Sequence, residues 1–425
     1  MRSFHALPDT PHELSATLPC LILLLCARFA PMVAATLPEG NTGIASHYAG
    51  DAGIASDSSV VFAEGFEEAT VPALTARWEQ CQHTETFSFS TDVPATSAGG
   101  KSLLITQPGG SAWGGDLYRR LLPGYTQIFV RYYVKFEQNS FQIHHGPMWV
   151  GGLNPATSWP NPNAGVRPAG DERFSTGSEP MGTAWRWDFY AYWTGMRGNP
   201  GGPQFWGNDF VNDATWTAWR GTWICVEQMV TLNDPVTESN GEQALWVDGK
   251  LRRKDGQIIS YLGKGFPKGK WVWDSFTPDT SGTPFEGYQW RTNAALTINY
   301  LWPQVYITDA PAGQASRVWF DDIVVATRYV GPLQPSSSVM ARPCRDESRG
   351  PAIKREGPRI VLAAGPAARG GSIALFSSSG RTAFACPQWN GAGFFSIRGM
   401  QPGVYIARLR DGDGTLPQRI VIEGN

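Results

Sequence analysis

The stretch VRYYVKF at residues 130–136 decides the fold class. In an extended chain successive side chains point to opposite faces, so this stretch has a mixed polar face and a purely apolar and aromatic face. The first face carries Arg131, Tyr133 and Lys135, and the second carries Val130, Tyr132, Val134 and Phe136. The pattern predicts a β-strand that buries one face.

Four further stretches indicate strands of the same kind. Residues 185–193 (WRWDFYAYW) place Arg186, Asp188, Tyr190 and Tyr192 on one face, and residues 223–232 (WICVEQMVTL) alternate more loosely. Residues 244–250 (ALWVDGK) end in an Asp-Gly pair, which favours a hairpin, and residues 319–325 (WFDDIVV) form a closing strand. Short alternating strands separated by turn residues are typical of an antiparallel β-sandwich.

Composition narrows the function classes. The chain has 425 residues, a net charge of −2, 17% charged residues and 18 Trp. A nearly neutral chain lacks the clustered basic excess of a nucleic-acid binder, so we expect no nucleic-acid partner. The 48 Gly and 32 Pro favour strands and turns over long helices.

The chain divides into five predicted segments. An apolar run at 18–25 (LPCLILLL) before small residues indicates a secretory signal peptide over 1–35, too short for a membrane span. We predict a linker at 36–59, the sandwich at 60–333, a second linker at 334–357 and a small Ig-like β-sandwich at 358–425. In an exported chain the cysteines permit Cys81–Cys225 and Cys344–Cys386 bridges, one of three pairings.

Two constellations are candidate functional sites. His144 and His145 are adjacent before a long Gly- and Pro-rich segment at 152–182, which we interpret as a functional loop. On a strand at most one of two adjacent side chains faces a given site. The polar, aromatic face that carries Arg186, Tyr190 and Tyr192 suits sugar rings and a carboxylate.

The order of these features resembles the alginate and glucuronan lyases of polysaccharide lyase families 14 and 20 and the wider concanavalin-A-like sandwiches. The resemblance covers about residues 60–332. Its motifs are YYVKF at 132–136, HHGPMWVGG at 144–152, Phe174-Ser175, Trp185-Arg186, YAY at 190–192, WVDG at 246–249 and FDDI at 320–323.

The resemblance implies a jelly-roll fold and β-elimination at a 4-linked uronic acid in a polysaccharide substrate. The family's lysine falls on His145. Arg186 or cationic His145 would neutralise the carboxylate, Tyr192 or neutral His145 would remove the C5 proton, and Tyr190 or Tyr192 would protonate the leaving O4. Further substrate contacts are assigned to His144, Arg131, Lys135, Trp149 and Asp188.

Two alternatives to a lyase differ in plausibility. A retaining glycosidase of this fold needs a Glu-x-Asp-x-x-Glu strand, which the sequence lacks. A non-catalytic, lectin-like module remains open, because Trp side chains can stack on sugars without chemistry.

Two further resemblances, separate from that to the lyases, concern a structural cation and the C-terminal region. Glu64 and Asp322 resemble the terminal-strand acids of jelly-roll modules that hold structural Ca²⁺, and we expect no other cofactor. From residue 358 the chain resembles type IX secretion sorting domains, which implies contact with that secretion machinery, a secreted or surface location and no membrane span. The alternative is an Ig-like accessory domain without a targeting role. We expect a monomer.

Overall fold

The computed structural model describes residues 37–110, 113–158 and 164–334 with their side chains. Beyond them it describes the backbone of seven C-terminal strands. The elements are almost all strands, so the predicted all-β class is confirmed.

Twenty strands and one short helix, α1 (Val71–Thr75), form the main body. The strands are β1 (Val60–Glu64), β2 (Gln80–Gln82), β3 (Phe87–Ser90), β4 (Ser102–Gln107), β5 (Trp113–Tyr125), β6 (Gln127–Phe136), β7 (Met148–Leu153), β8 (Arg173–Met181), β9 (Arg186–Tyr192), β10 (Trp223–Thr231), β11 (Glu242–Val247), β12 (Lys250–Leu251), β13 (Arg253–Lys254), β14 (Gln257–Ile258), β15 (Tyr261–Leu262), β16 (Lys268–Val272), β17 (Ser275–Pro278), β18 (Thr283–Pro284), β19 (Ile298–Tyr306) and β20 (Ser316–Ala326). Three 3₁₀ turns lie at Ile44–His47, Ile54–Ser56 and Thr84–Thr86.

Two antiparallel sheets make the sandwich. The nine-stranded sheet has the order β12-β11-β10-β6-β20-β4-β3, with β1 added to β20 and β15 to β11. The six-stranded sheet has the order β2-β5-β19-β7-β8-β9. Hydrogen bonds join the inner faces, from Tyr132 Oη to Ser178 Oγ at 2.8 Å and from Thr176 to Gln243 at 2.9 Å.

The alternation predicted for residues 130–136 is present in β6. Val130, Tyr132 and Val134 are buried in the core between the sheets. Their odd-numbered neighbour Tyr133 belongs to a separate cluster with Cys225 and Leu333. One face of β6 therefore builds the sandwich core, and the other forms the outer face of the nine-stranded sheet.

The two ends of the main body lie side by side. Strand β1 pairs with the second half of β20, and Glu64 lies opposite Ile323. The register of β20 against β6 shifts between Asp321 and Val324, and Asp322 has a φ of 46°. A bulge of this kind bends the strand at the acidic pair.

The expected linker at 36–59 is wrong for the residues described there. Ile44 and Ile54 are buried against Val324 of β20 and against Val330, which follows that strand. Asp51 forms an ion pair with Arg131. Small, polar residues without periodicity thus form two 3₁₀ turns that cover the sheet.

The expected loop at 152–182 is wrong in part, because residues 173–181 form β8. This strand pairs with β7 on one side and β9 on the other. Its Ser, Thr and Gly residues are buried on both faces, so no hydrophobic alternation marks them in the sequence.

The predicted Cys81–Cys225 bridge is wrong. Both cysteines are free. Cys225 on β10 belongs to the outer-face cluster with Tyr133 and Leu333, whereas Cys81 on β2 packs against the core between the sheets.

The C-terminal region contains β21 (Ala352–Glu356), β22 (Arg359–Ala363), β23 (Gly371–Ser377), β24 (Thr382–Trp389), β25 (Gly393–Ser396), β26 (Gly403–Asp411) and β27 (Gly414–Ile422). They form sheets of order β21-β22-β25 and β24-β23-β26-β27. The signal peptide, Cys344 and the 334–357 linker, apart from Gln334 and β21, lie outside the described residues, and the sorting role of these strands stays a prediction. In the part of the chain that is described, no helix is long and apolar enough to cross a membrane.

Candidate functional site

A cavity of about 580 Å³ opens on the outer face of the six-stranded sheet. Aromatic rings and histidines dominate its lining. The lining residues are Trp113, His144, His145, Trp149, Ala164, Ser175, Tyr190, Tyr192, Trp206, Tyr300, Trp302, Gln304 and Tyr306.

Strand register assembles the floor of the cavity. Trp302 on β19 lies opposite Trp149 on β7, and Tyr190 on β9 lies opposite Gly177 on β8 in the same row. Directly paired residues of antiparallel strands project to one face. The row therefore places two indoles and a phenol side by side, with ring centroids 6.4 Å apart for Trp149 and Trp302 and 5.9 Å apart for Trp149 and Tyr190.

Two glycines leave the space that these rings occupy. A Cβ atom on Gly177 would lie 2.8 Å from Cε2 of Trp149, and one on Gly207 would lie 2.4 Å from Cε1 of Tyr190. Any larger residue at either position would push a ring out of the floor.

Both histidines face the cavity, so the expectation that at most one would do so is wrong. The backbone N–H groups of His144 and His145 both donate to the Tyr306 carbonyl, at 2.8 and 3.1 Å. Two residues opposite one is the arrangement of a bulge, which turns adjacent side chains to the same side. The imidazole centroids are 4.5 Å apart, and that of His144 is 4.9 Å from the Tyr306 ring.

Glu179 on β8 holds His145 and was not identified from the sequence. Its carboxylate lies 3.2 Å from Nδ1 of His145 and accepts the Gly146 N–H at 3.2 Å. Glu179 is only 1% exposed. Because a carboxylate accepts hydrogen bonds, this contact assigns the proton to Nδ1 and leaves Nε2 as an acceptor.

Tyr190 and Tyr192 form the adjacent wall, with ring centroids 5.8 Å apart. The Tyr190 centroid is 4.8 Å from that of His145. Burial raises the pKa of both phenols, while hydrogen bonds from Tyr190 and from the Gly207 and Gly165 amides oppose the rise in the pKa of Tyr192. Tyr192 is thus the phenol whose anion is better supported.

Arg186 and Asp188 share a strand with these tyrosines but do not line the cavity. Arg186 Nη2 donates to Asp209 at 2.6 Å, and its Nε is 3.3 Å from Asp188. Asp188 is fully buried and accepts the backbone N–H groups of Phe210, Val211 and Asn212 at 2.7–2.8 Å. The substrate contact assigned to Asp188 is corrected, because this carboxylate shapes the 208–213 segment.

Arg131 and Lys135 lie on β6 of the other sheet, so their assignment as substrate contacts is also corrected. Arg131 is fully buried and donates to the carbonyl of Asp322 as well as to Asp51. Lys135 pairs with Asp92, and its ammonium lies 5.2 Å from the Trp319 ring.

The Ca²⁺ role expected for Glu64 and Asp322 stays a prediction. Glu64 accepts the Phe66 N–H at 3.0 Å, Arg77 Nε at 2.9 Å and Trp78 Nε1 at 3.2 Å. Three donors already occupy its two oxygens, and Asp322 lies beside Arg131. Among the residues described, no group of three or more His, Cys, Asp or Glu is arranged to hold a metal.

Several lining residues were missed because β19 was not recognised as a strand. Its sequence INYLWPQVY alternates in the same way as β9, with Leu301 and Val305 in the core. The other face carries Tyr300, Trp302, Gln304 and Tyr306, all of which line the cavity. The signal was present in the sequence at 298–306.

Comparison with known proteins yields distant structural likenesses only. The sequence matches no protein-family model and no curated protein. Alginate lyase Aly36B is similar in structure, with a TM-score of 0.37, 12% identity, 66% of this chain and 95% of that chain covered. The cellulose induced protein Cip1 has a TM-score of 0.32, 16% identity, 58% of this chain and 88% of that chain covered.

A carbohydrate esterase from the Shiga toxin-encoding bacteriophage phi24B is similar at a TM-score of 0.30 and 12% identity, over 64% of this chain and 99% of that chain. Likenesses at these TM-scores carry no argument about activity. The case for function therefore rests on the cavity itself.

Proposed function

We propose that this protein binds a polysaccharide in the aromatic cavity and cleaves it by β-elimination at a uronic acid. The observation that carries the proposal is the wall formed by His145, oriented by Glu179, and the Tyr190–Tyr192 pair. An oriented imidazole beside two phenols supplies a base and an acid at one place in the cavity.

The aromatic floor supports a saccharide ligand. Trp149 and Trp302 are 6% exposed and lie in the floor with their ring planes at 49° to each other, whereas Trp113 and Trp206 are 39% and 44% exposed at its edges. Rings of this kind present an apolar body to the C–H face of a sugar. A sugar bound on this floor would lie next to His145, the base of the proposal.

In the proposed mechanism, Nε2 of neutral His145 takes the proton from C5 of the uronate. The electrons left on C5 form the C4–C5 double bond as the bond from C4 to O4 breaks. The Tyr192 hydroxyl gives its proton to the leaving O4, and Tyr190 donates a hydrogen bond to the phenolate that remains. His145 then releases its proton to solvent and the Tyr192 phenolate takes one from solvent, so that both groups return to their starting states.

The carboxylate of the reacting uronate needs hydrogen-bond donors, because neutralising it acidifies the C5 proton. Arg186 is already paired with two carboxylates, so it does not serve this role in our proposal. Gln304 and Ser175 line the cavity and carry donors of the required kind.

The test is incubation with uronate-containing polysaccharides while unsaturated, ultraviolet-absorbing ends are measured. We expect His145→Ala to lower product formation about 10²–10⁴-fold, with Tyr192→Phe in the same direction. His83→Ala changes an exposed imidazole outside the cavity lining and serves as the control. Full activity in both cavity variants would overturn the proposal.

A non-catalytic saccharide-binding role is the second candidate. It is favoured by the lining itself, since no Lys or Arg is found among the described residues of the cavity. Retardation on a polysaccharide without unsaturated ends would support this role over cleavage.

The place of action is part of the proposal. The apolar run at 18–25 and the C-terminal strands, which resemble a sorting domain, support export to the cell surface or the medium. Fractionation of cells that express the full chain tests this, and retention in the cytoplasm would contradict it.

A further inference from the structure

The cavity lacks the charge that a polyuronate needs. Its basic residues, within the described lining, are His144 and His145 alone. Burial and the neighbouring His145 lower the pKa of His144, which favours its neutral form. The remaining lining consists of aromatic rings, Ala164, Ser175 and Gln304.

Three arginines close to this face are already engaged by hydrogen bonds or ion pairs. Arg173 is 8% exposed and donates to the Val166 carbonyl at 2.7 Å, and Arg186 is held by Asp209. Arg120 on β5 pairs with Glu79 at 2.8 Å. Arg167 stacks on Phe205, next to Trp206, with its guanidinium 5.3 Å from the ring, and so marks the edge of the cavity.

The cavity is long enough for several sugar rings. It extends from Trp113 on β5 to Tyr192 on β9, and β19, β7 and β8 lie between those strands. Four inter-strand steps of about 4.8 Å make roughly 19 Å. A polyuronate across this span would place one carboxylate on every ring over an apolar floor.

Moving a carboxylate out of water without a cation or a set of hydrogen-bond donors costs several kcal/mol of binding free energy. A neutral sugar loses little on the same floor, because its hydroxyls stay at the edge and its C–H face meets the rings. One carboxylate near His145, Gln304 and Ser175 can be accommodated, and a row of carboxylates cannot.

We infer that the cavity takes a heteroglycan in which an isolated uronate is flanked by neutral sugars, in preference to a polyuronate. This inference rests on the proposed cleavage at a uronate and adds the class of its neighbours. It identifies the aromatic lining as the feature that determines specificity.

The first experiment compares kcat/KM on a polyglucuronate and on a neutral-backbone oligosaccharide with isolated, chain-internal glucuronates. We expect a preference of at least about tenfold for the second, equal to about 1.4 kcal/mol. Equal or faster cleavage of the polyglucuronate would overturn the inference and leave the proposed function standing. Cleavage of neither would overturn the proposed function.

Binding to the His145→Ala variant tests the inference without turnover. Titration calorimetry with the same two oligosaccharides should give the tighter Kd for the neutral-flanked one. Equal or tighter binding of the polyglucuronate would contradict the inference whether or not the wild-type protein cleaves.

A charge placed at the edge of the cavity should change the preference. We expect Trp206→Arg to raise affinity for the polyglucuronate, and added salt to remove the gain by screening. Trp219→Arg is the matched control, because Trp219 is 59% exposed and lies outside the lining. An equal gain in both variants would indicate general charge attraction and would overturn the role given to the lining.

Discussion

The outer faces of the two sheets have the same alternating sequence pattern, but one face is covered by other parts of the chain and the other is open. On the nine-stranded sheet Arg131, Tyr133 and Glu227 project outward, and residues 37–59 and 329–334 cover them. Glu227 accepts the Val330 and Gly331 N–H groups at 2.7 and 2.8 Å, and the Leu333 N–H donates to Tyr133 Oη at 3.0 Å. On the six-stranded sheet the corresponding face stays open as the aromatic cavity.

Alternation therefore identifies the two faces of a strand, but it does not show whether the outer face is covered by the chain or open to a ligand. On the covered face every charged group named above has a partner within the chain. These groups therefore stabilise the fold and are not available to a ligand. On the open face His145 has one partner, Glu179, and its other ring nitrogen is left for a ligand. Five variants test this contrast, beginning with the largest expected effect.

Arg131→Met removes the central charge of the covered face. Asp51 would stay buried without its cation, so we expect a loss of about 3–5 kcal/mol in unfolding free energy, measured by chemical denaturation. Activity of the folded fraction should not change.

Lys135→Met is the comparison for Arg131→Met on the same strand, because its pair with Asp92 is partly exposed. We expect the unfolding free energy to fall by at most about 1 kcal/mol. Equal losses of unfolding free energy in the two variants would show that burial of the Arg131–Asp51 pair does not increase the cost of removing its cation.

Glu179→Gln tests the open face without deleting its base. The amide keeps the shape of the side chain but no longer fixes the proton on Nδ1 of His145, so we expect product formation to fall about 10²-fold. The pH–rate profile should also shift, which a merely structural role would not cause. Glu137→Gln, at an exposed pair with Arg317, is the control.

Glu227→Gln tests the covered face through pH. Burial raises the pKa of this carboxyl to about 7 from 4.5, against the opposing Val330 and Gly331 amides. Between these pH values the folded state binds more protons than the unfolded state, so stability falls as pH rises. Glu227→Gln should reduce the slope of the unfolding free energy against pH by the equivalent of about one bound proton. The slope is measured from denaturation midpoints at several pH values. An unchanged slope would contradict the burial of an ionisable Glu227.

Trp206→Ala tests the edge of the open face. Loss of one edge ring should weaken saccharide binding about tenfold, while Trp219→Ala, outside the cavity lining, should leave the Kd unchanged. A larger effect from Trp219 would move the binding surface away from the six-stranded sheet.

Much of the contrast was present in the sequence. The alternation at 185–193 identified Tyr190 and Tyr192, and the rare adjacent pair identified His144 and His145. Strand β8 was missed because Ser, Thr and Gly buried on both faces leave no periodic signal, and Glu179 was missed with it.

The errors on β6 have a different cause. Arg131 was assigned to a ligand because an outward-facing charge on a strand is normally exposed to solvent. The segment that buries it lies about 80 residues away in sequence, at Asp51, and has no periodicity of its own. Local pattern fixes which face a side chain takes, whereas the cover on that face depends on contacts between distant parts of the chain.

The most direct test of the central claim is a crystal structure with a neutral-backbone oligosaccharide that carries one internal glucuronate, bound to the His145→Ala variant. We expect sugar rings on Trp149 and Trp302, with the uronate beside residue 145 and Tyr192. Sugar bound to the covered nine-stranded face, or to the exposed Val272–Trp273 turn, with the aromatic cavity empty, would contradict it.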